Sequence, residues 1–400
     1  MNIKSDFGIY DKYPDLVYFD SASTTLVPKI STSAMTTFLD TIVASARRGA
    51  HKLALRGSDA VESVRTSLAQ FLATESSSIS FQKSIPSAVA SLVYGYNWKR
   101  NGKTKIAISQ NEENSVLVAA LRAAEVLDLD VEIIALEIDG SLSLNSLEQI
   151  VNDKTGIVAV GHILPGIGTK NPLREVEKIV HNHDALLLTD ITRSIGVTKE
   201  SLLDYGCDIL LFSANIGLMG PPGLAIQWIT PSLNLNHTPG ILGGSSVSNV
   251  HAKTYEIAFG PDKFESGYIN VPAIIGLGRS IEYLRSLHDK GLLDHLAGIS
   301  RYMKKRLSEI DNLTLYGNYD DSCTIFGFNL SESSEVGCHD VALFLDEANI
   351  AVRSGLVCAH PLVQSITRNG LIQVSIHGYN STSDIDYLAD TLIIINEQLL

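Results

Sequence analysis

Charged residues are scarce in this sequence, and basic residues are the scarcer of the two signs. Only 19% of the residues are charged, and 31 lysines and arginines against 44 aspartates and glutamates give a net charge of −13. A nucleic-acid-binding protein concentrates lysine and arginine on one face, whereas the one notable basic cluster here is Arg47, Arg48, Lys52 and Arg56. The composition therefore argues against a nucleic-acid partner.

Cysteine is also rare, with 4 residues in the whole chain. Cys207, Cys323, Cys338 and Cys358 lack paired spacing, so the pattern favours neither a disulfide framework nor a C-x-x-C metal knuckle. Acidic residues near the N-terminus interrupt the apolar stretch that a signal peptide needs. Residues 209–252 contain no Lys, Arg, Asp or Glu, yet Gly, Pro, Asn and Ser interrupt them too often for a membrane-spanning helix. We expect a cytoplasmic protein without a membrane partner.

Apolar residues are plentiful, at 45% of the sequence, which is enough for a substantial core and about two domains. Short apolar runs alternate with amphipathic segments, a pattern typical of a parallel sheet covered by helices on both faces. The predicted strands are Ser78–Phe81, Lys105–Ile108, Val131–Leu136, Gly156–Val160, Ala185–Thr189, Asp208–Phe212 and Leu224–Trp228. The sequence therefore predicts an α/β protein with a seven-stranded, mainly parallel sheet.

Two helical patterns indicate how the chain is organised. Asp59 followed by Glu62 fits a capping box, and apolar residues at helical spacing extend to Leu72, which predicts a helix packed on the sheet. Pro272 begins a second long helical run, where we place a domain junction. Residues 18–271 then form the large domain, residues 272–400 form a small C-terminal α/β domain, and residues 1–17 pack on the small domain. The small domain is predicted to contain strands Thr314–Tyr316, Thr324–Leu330, Ile350–Val352 and Leu371–Ile376, with helices near Ser300, Asp340 and Asp384.

Residues that directly follow the predicted strands are the first candidates for a site, because ligands of open parallel sheets bind at the carboxyl ends of the strands. Asp190 ends one strand and can pair with a ring nitrogen or a metal, although an aspartate there also commonly caps a helix. Segment 213–223 follows the next strand. Its Ser213 hydroxyl, Asn215 amide and glycines fit either a phosphate-binding turn or a plain tight connection.

A second group of candidates follows a strand of the small domain. Arg353 and Cys358 flank Gly355 in a segment that we expect to be a mobile loop. Their spacing would let the guanidinium hold an amino-acid carboxylate while the thiol reacts with the side chain. A lone cysteine is also commonly a small buried hydrophobe. The close pairs Cys338–His339 and Cys358–His360 lack four-ligand spacing, so no metal site is predicted.

A series of short segments gives these candidates a common context. They are Tyr18–Ala22, Arg48–His51, Ile108–Gln110, Gly168–Pro172, Asp190, Phe212–Ser213, Gly220–Gly223, Gly243–Ser245, Phe264–Gly267 and Arg353–Pro361. In this order they resemble the group II cysteine desulfurases and selenocysteine lyases of the class V aminotransferase family. The resemblance extends from about Val17 to the last predicted helix.

The resemblance implies a pyridoxal-phosphate-dependent fold of type I and a homodimer whose large domain holds pyridoxal phosphate. It also implies that Cys358 and Arg353 are the catalytic candidates, with Cys358 as the sulfur-accepting thiol and Arg353 as the ligand of the substrate carboxylate. Asp190 matches the partner of the pyridine nitrogen, and the other cofactor-binding candidates are Ser213, Asn215, Arg193 and Glu113.

The sequence departs from the family pattern where the cofactor would bind. No lysine occurs between Lys199 and Lys253, so Ile216 or Gly217 occupies the position of the Schiff-base lysine. Glu113 replaces the ring-stacking histidine, and Arg193 replaces the glutamine that reaches the cofactor hydroxyl. Further departures are Ile85 and Pro86 at two phosphate-binding threonines, Pro165 at an asparagine and Tyr268 at another phosphate-binding threonine. Because the family chemistry needs an amine and an anionic cofactor is repelled by a carboxylate, these changes disfavour an ordinary desulfurase.

The sequence therefore predicts a desulfurase-like homodimer that carries no covalently bound pyridoxal phosphate. It would act in sulfur mobilisation or iron–sulfur cluster assembly through Cys358, as a sulfur carrier or a cluster ligand, with a scaffold or sulfur-acceptor protein as partner. One alternative is an active pyridoxal phosphate enzyme on cysteine or another small amino acid that uses a different lysine, such as Lys83. The other is a non-catalytic structural partner.

Overall fold

Two sheets and the helices around them organise the computed structural model, which describes residues 1–320, 323–330 and 336–399. The strands are β1 (Val17–Tyr18), β2 (Ile79–Gln82), β3 (Lys105–Ser109), β4 (Asp130–Ile134), β5 (Thr155–Ala159), β6 (Leu186–Asp190), β7 (Ile209–Ser213), β8 (Ala225–Ile229), β9 (Val247–Val250), β10 (Tyr255–Ile257), β11 (Leu313–Tyr316), β12 (Ile325–Leu330), β13 (Ile350–Ala351), β14 (Arg353–Gly355) and β15 (Leu371–Ser375). The helices are α1 (Lys29–Thr41), α2 (Lys52–Phe71), α3 (Ile85–Gly95), α4 (Trp98–Asn101), α5 (Asn114–Leu127), α6 (Leu144–Ile150), α7 (Leu173–His181), α8 (Pro231–Asn236), α9 (Val271–Asp289), α10 (Leu292–Ser308), α11 (Cys338–Glu347), α12 (His360–Ile366) and α13 (Thr382–Leu399).

The larger sheet has seven strands in the order β2-β8-β7-β6-β5-β3-β4. Strand β8 is antiparallel to both of its neighbours, and the other pairs are parallel. Strands β3, β5 and β8 are buried along their whole length, as strands covered on both faces must be, which explains their short apolar runs. The predicted seven-stranded, mainly parallel sheet is confirmed, and each strand lies within two residues of its predicted position.

Helices cover both faces of this sheet. Apolar residues of α2, α7 and α9, such as Leu68, Val176 and Ile274, pack on one face. Residues of α3 and α5, such as Leu92 and Val116, pack on the other face. The two faces therefore bury separate apolar clusters, and the carboxyl ends of the parallel strands emerge between these helix layers.

The smaller sheet is antiparallel, with the order β11-β12-β15-β14. Strand β13 lies outside it and pairs in parallel with β1, where Val17 is opposite Ile350. The N-terminal segment is also held by an ion pair between Lys4 and Asp384, whose Nζ and Oδ1 atoms are 2.7 Å apart. Among the described residues, no helix combines the length and the hydropathy needed to span a bilayer.

Two local predictions are wrong. Helix α2 begins at Lys52 rather than at Asp59, because the His51 side chain caps it by accepting the Ala54 N–H, and Glu62 instead pairs with Arg65. The segment after Val352, predicted as the start of a mobile loop, forms strand β14 against β15. The predicted strand Ile350–Val352 is confirmed as β13, although it pairs with β1 outside the four-stranded sheet.

Candidate active site

Asp190 lies at the carboxyl end of β6, in the middle of the seven-stranded sheet. Its Oδ1 accepts a hydrogen bond of 2.7 Å from the backbone N–H of Thr192. Its Oδ2 is buried and has no hydrogen-bond partner among the described residues. Burial, followed by the charge of Glu113, raises the pKa of Asp190 to about 6. A buried carboxylate oxygen of this kind can accept a hydrogen bond from the N–H group of a ligand.

Glu113 and Arg193 meet beside Asp190. The Arg193 Nη1 atom donates a hydrogen bond of 2.6 Å to Glu113 Oε2. Glu113 stands at the N-terminal end of α5, after β3, and Arg193 lies in the turn after β6, so the contact spans the end of β5, which lies between these two strands. Both residues were predicted to face the cofactor, and the structure brings them together as an ion pair.

A second buried carboxylate precedes this pair in the chain. Glu112 is only 1% exposed, and its Oε1 has no hydrogen-bond partner among the described residues. Burial, with the charges of Asp190 and Glu113, raises the pKa of Glu112 well above its usual range. This environment favours the uncharged form of Glu112.

Arg353 holds the thiol candidate. Its Nη2 donates to Cys358 Sγ over 3.1 Å, and its Nη1 donates to Ser23 Oγ over 2.9 Å. Ser23 in turn donates a 2.5 Å hydrogen bond to Asp20 Oδ1. Strand β14 fixes Arg353 because it pairs with β15, where Arg353 is opposite Gln373. The structure therefore brings the two predicted catalytic candidates into direct contact.

The segment that carries Cys358 has an unusual backbone. Val357 and Cys358 adopt positive φ angles of 39° and 58°, a region that non-glycine residues seldom occupy. The Cys358 carbonyl accepts a 2.8 Å hydrogen bond from the Asn114 N–H at the start of α5. This contact ties the half-buried thiol segment to the large domain, next to Glu113.

The turn after β7 is tied to two neighbouring segments. The Ser213 N–H donates to Thr192 Oγ1 over 3.1 Å. The Asn215 amide donates to Thr24 Oγ1, and the Asn215 carbonyl accepts from the Thr25 N–H. Asn215 therefore holds the segment after β1 through one of its two side-chain N–H donors and through its carbonyl.

The residues at the expected lysine position lie beside Arg193. Ile216, Gly217 and Arg193 line a cavity of about 20 Å³ together with His377. Gly217 has a φ of 52°, and a Cβ atom there would collide with the Ile195 carbonyl. Gly217 therefore cannot be replaced by a side chain without a backbone shift, whereas Ile216 points toward the cavity.

Lys83, the alternative amine, follows β2 at the same edge of the sheet, because β2 and β7 are both antiparallel to β8. It lines a separate cavity of about 520 Å³ with Tyr268 and Asn270. Its Nζ lies 3.2 Å from the position that a Cβ on Gly267 would take.

Sequence reasoning missed several residues of the site. Asp20 lies in the Tyr18–Ala22 segment of the family pattern, and Ser23 directly follows it. The sequence therefore pointed to this segment, but it did not indicate that Ser23 contacts Arg353 or that Asp20 accepts from Ser23. Asn114 and Glu112 flank Glu113 and had no separate signal. Among the described residues, no group of three or more His, Cys, Asp or Glu side chains is arranged to hold a metal ion.

The fold and the polar cleft at the strand ends define an α/β protein of the pyridoxal-phosphate-dependent type I fold. The chain belongs to the class V aminotransferase family, whose model matches residues 17–388. This confirms the family predicted from the sequence.

Within the family, individual relatives show that the chain is similar to cysteine desulfurases. A probable cysteine desulfurase of Methanothermobacter thermautotrophicus is 31% identical over 382 residues, which cover 94% of each chain. The apo structure of a cysteine desulfurase from Thermococcus onnurineus NA1 has a TM-score of 0.90 at 26% identity and covers 99% of this chain and 98% of that one. A C-DES mutant with glycine covalently linked to its pyridoxal phosphate cofactor shares the fold, with a TM-score of 0.84 at 16% identity over 98% of this chain and 99% of that one. The chain is therefore cysteine desulfurase-like, and pyridoxal phosphate is the cofactor of its family.

Proposed function

We propose that the protein is a desulfurase-like sulfur carrier of sulfur mobilisation or iron–sulfur cluster assembly, which acts through Cys358 and does not hold pyridoxal phosphate covalently. The observation that carries the proposal is the 3.1 Å contact between the Arg353 guanidinium and the Cys358 sulfur. The contact places the Cys358 sulfur beside a cationic donor in a half-buried segment, whereas the other three cysteines are buried, and partly exposed thiols beside arginine are the reactive ones. Ser23 and the antiparallel pairing of β14 hold Arg353 in place.

The chemistry of sulfur transfer needs no cofactor once a persulfide donor is present. The Cys358 thiolate attacks the terminal sulfur of a donor persulfide, the donor S–S bond breaks, and the donor leaves as a thiolate. Cys358 then carries the persulfide, and the same exchange in reverse passes the sulfur to an acceptor. No electrons enter or leave, so the step needs no further oxidant or reductant.

The residues fit one part of pyridoxal phosphate and not the rest. The free, buried Oδ2 of Asp190 suits a pyridine N–H. Ile216 and Gly217 offer no amine, and Ile85 and Pro86 offer no side-chain donor in the first turn of α3. Each missing hydrogen bond to a charged group costs roughly 1.5 to 3 kcal/mol, so two of them weaken binding by orders of magnitude.

Borohydride reduction and peptide mapping test the cofactor part of this proposal. After incubation with pyridoxal phosphate, we expect no stoichiometric phosphopyridoxyl-lysine. Recovery of one at any lysine would overturn this part of the proposal.

Treatment with a low-molecular-weight persulfide tests the thiol part. We expect one sulfur atom to be added to Cys358, as measured by mass spectrometry of peptides, and to be lost on reduction. Cys358→Ser should abolish the labelling, whereas Cys338→Ser, at a buried thiol, should retain it. Equal labelling of the Cys358→Ser variant would favour a non-catalytic structural partner instead.

A second candidate function is an active pyridoxal phosphate enzyme that uses Lys83. The observation in its favour is the cavity of about 520 Å³ around Lys83, at the same edge of the sheet as Asp190. The borohydride experiment separates the two candidates, because this function requires the reduced cofactor on Lys83.

The partners proposed are a second copy of the chain and a scaffold or sulfur-acceptor protein. An iron–sulfur cluster could also reach Cys358 only if the other protein supplies further ligands, since the described residues provide no ligand group of their own. Four free cysteines support a reducing cytoplasm as the site of action.

A further inference from the structure

The ion pair of Glu113 and Arg193 joins two positions at which the family pattern has a histidine and a glutamine. Arg193 is 8% exposed at its side chain and Glu113 is 21% exposed, so most of this contact is shielded from water. The two residues are separated by 80 positions in the chain. Their contact therefore depends on the fold, because it bridges the end of β6 and the start of α5.

Charge explains why the two residues belong together. Three carboxyl groups, those of Asp190, Glu112 and Glu113, share one nearby guanidinium, which contacts Glu113 directly. Burial raises the pKa of Asp190 and of Glu112, and the charge of Arg193 opposes that rise in both. The buried Arg193 charge in turn depends mainly on Glu113 and then on Asp190. Loss of one partner of a buried ion pair leaves an uncompensated charge, which costs more than the pair itself contributes.

The cavity beside Arg193 is also too small for a cofactor. The cavity between Arg193, Ile216 and His377 has a volume of about 20 Å³, which holds roughly one water molecule. Sites for small organic ligands typically have volumes of about 300 Å³ or more. The cavity beside the expected amine position, which Arg193 helps to line, is therefore too small for a cofactor ring.

We infer that Glu113 and Arg193 act as one closing unit that takes the place of the cofactor ring and excludes pyridoxal phosphate from Asp190. The inference rests on the proposed function and identifies the residues that keep the cofactor out. Glu113 repels an anionic ring system, and Arg193 occupies its space. Neither residue alone suffices, because Arg193 without Glu113 loses its anchor and Glu113 without Arg193 leaves adjacent carboxylates unpaired.

Equilibrium dialysis against pyridoxal phosphate tests the closing unit without any measurement of activity. The double variant Glu113→His with Arg193→Gln should bind the cofactor at least about tenfold more tightly than the wild type. Each single variant should also bind the cofactor more tightly than the wild type, by about threefold, because the closing unit needs both residues. The exposed ion pair of Arg122 and Glu125 provides the matched control, and Arg122→Gln with Glu125→Gln should leave binding unchanged.

Thermal unfolding gives a second readout on the same variants. Arg193→Gln alone should lower the melting temperature more than the double variant does, because it leaves the Glu113 carboxylate without its cationic partner. If the changes in melting temperature of the two single variants add up to that of the double variant, the inference is overturned. A folded double variant that binds the cofactor no more tightly than the wild type would overturn it as well. Should the double variant not fold, Glu113→Gln is measured instead, and an unchanged cofactor affinity there would also overturn the inference.

The two proposals fail in distinguishable ways. A reducible lysine adduct in the wild type overturns the proposed function, and the closing unit with it. A wild type without an adduct, combined with no gain in the double variant, overturns the closing unit alone.

Discussion

The four thiols differ in what surrounds each sulfur atom. Burial raises the pKa of Cys207 and of Cys323 to about 12, whereas Cys358 is half-buried and accepts a hydrogen bond from Arg353. We therefore predict that iodoacetamide modifies Cys358 at least about tenfold faster than either buried thiol. Mass spectrometry of peptides over a time course measures the three rates in one sample.

Arg353 supplies the control for this prediction. Arg353→Met keeps the size of the side chain but removes its charge, and it should slow the alkylation of Cys358 while leaving Cys207 unaffected. Modification of Cys207 or Cys323 before Cys358 would contradict the assignment of Cys358 as the reactive thiol.

His377 gives a residue-scale prediction for pH. Burial lowers the pKa of His377 to about 4, and its ring accepts the Gly378 N–H at Nδ1 and donates from Nε2 to the Gly217 carbonyl. Between about pH 6.5 and pH 4, His377 is protonated in the unfolded chain but stays neutral in the folded protein. The stabilising contribution is therefore present above about pH 6.5 and is lost as the pH falls toward 4, by up to about 1.4 kcal/mol per pH unit.

Urea unfolding between these pH values checks the sign. His377→Gln should show a smaller loss of unfolding free energy on acidification than the wild type. The exposed His251, replaced in the same way, serves as the control. Equal slopes for the wild type and His377→Gln would show that His377 does not contribute to the pH dependence.

Sequence reasoning found single residues of the site better than their contacts. Asp190 was recognisable because it ends an apolar strand, and Arg353 and Cys358 because they are close in the chain. The partners of these residues are distant in sequence, as with Ser23, which lies 330 positions from Arg353. Long-range side-chain pairs leave no periodic pattern, so the ion pair of Glu113 and Arg193 could not be predicted.

At the scale of elements, the turn after β7 depends on one glycine. Gly217 has a positive φ, and an added Cβ would collide with the Ile195 carbonyl. We predict that Gly217→Ala lowers the free energy of unfolding by about 1 to 3 kcal/mol. Gly298, in α10, has no atoms within 4 Å of an added Cβ, so Gly298→Ala should instead raise it by up to about 1 kcal/mol.

Denaturant midpoints of the two variants provide the comparison. A Gly217→Ala variant as stable as the wild type would mean that the turn has room to move. That result would also mean that position 217 can accept a larger side chain, such as a lysine that would supply an amine to the site.

Strand and helix predictions failed where tertiary contacts decide the structure. Strand β14 contains Arg, Ser and Gly, which have little strand preference, and it forms because β15 offers a free edge. Helix α2 extends back to Lys52 because His51 caps it, although the Asp59–Glu62 pattern also matched a helix start. The large-sheet strands were predicted well because burial on both faces requires continuous apolar runs.

At the scale of the whole molecule, strands β1 and β13 connect the two ends of the chain. Strand β1, with two residues, is too short for a sequence pattern to reveal, whereas the apolar run Ile350–Val352 did predict β13. The hairpin of β9 and β10 was missed for a different reason, because its residues are mostly exposed and lack apolar alternation.

This hairpin and the loop after it carry a group of exposed apolar residues. Val250, Phe259 and Tyr268 are 66%, 90% and 62% exposed, and they line a cavity of about 590 Å³ with Arg47 and Arg48. Exposed apolar residues gathered around a cavity are typical of a surface that another chain covers. We therefore predict that the protein is a homodimer and that this surface contributes to the interface.

Light scattering and sedimentation test the homodimer at micromolar concentration. Phe259→Asp should weaken self-association by roughly thirtyfold, since loss of a central interface aromatic costs about 2 kcal/mol or more. Ile138→Asp, at an isolated and fully exposed position, should leave association unchanged. A wild type that stays monomeric would contradict the dimer, whereas a dimer insensitive to Phe259→Asp would place the interface on another face. If the dimer does form here, Arg48 and Gly267, which line the same cavity, would lie at the interface, so the same surface would hold two segments of the family pattern.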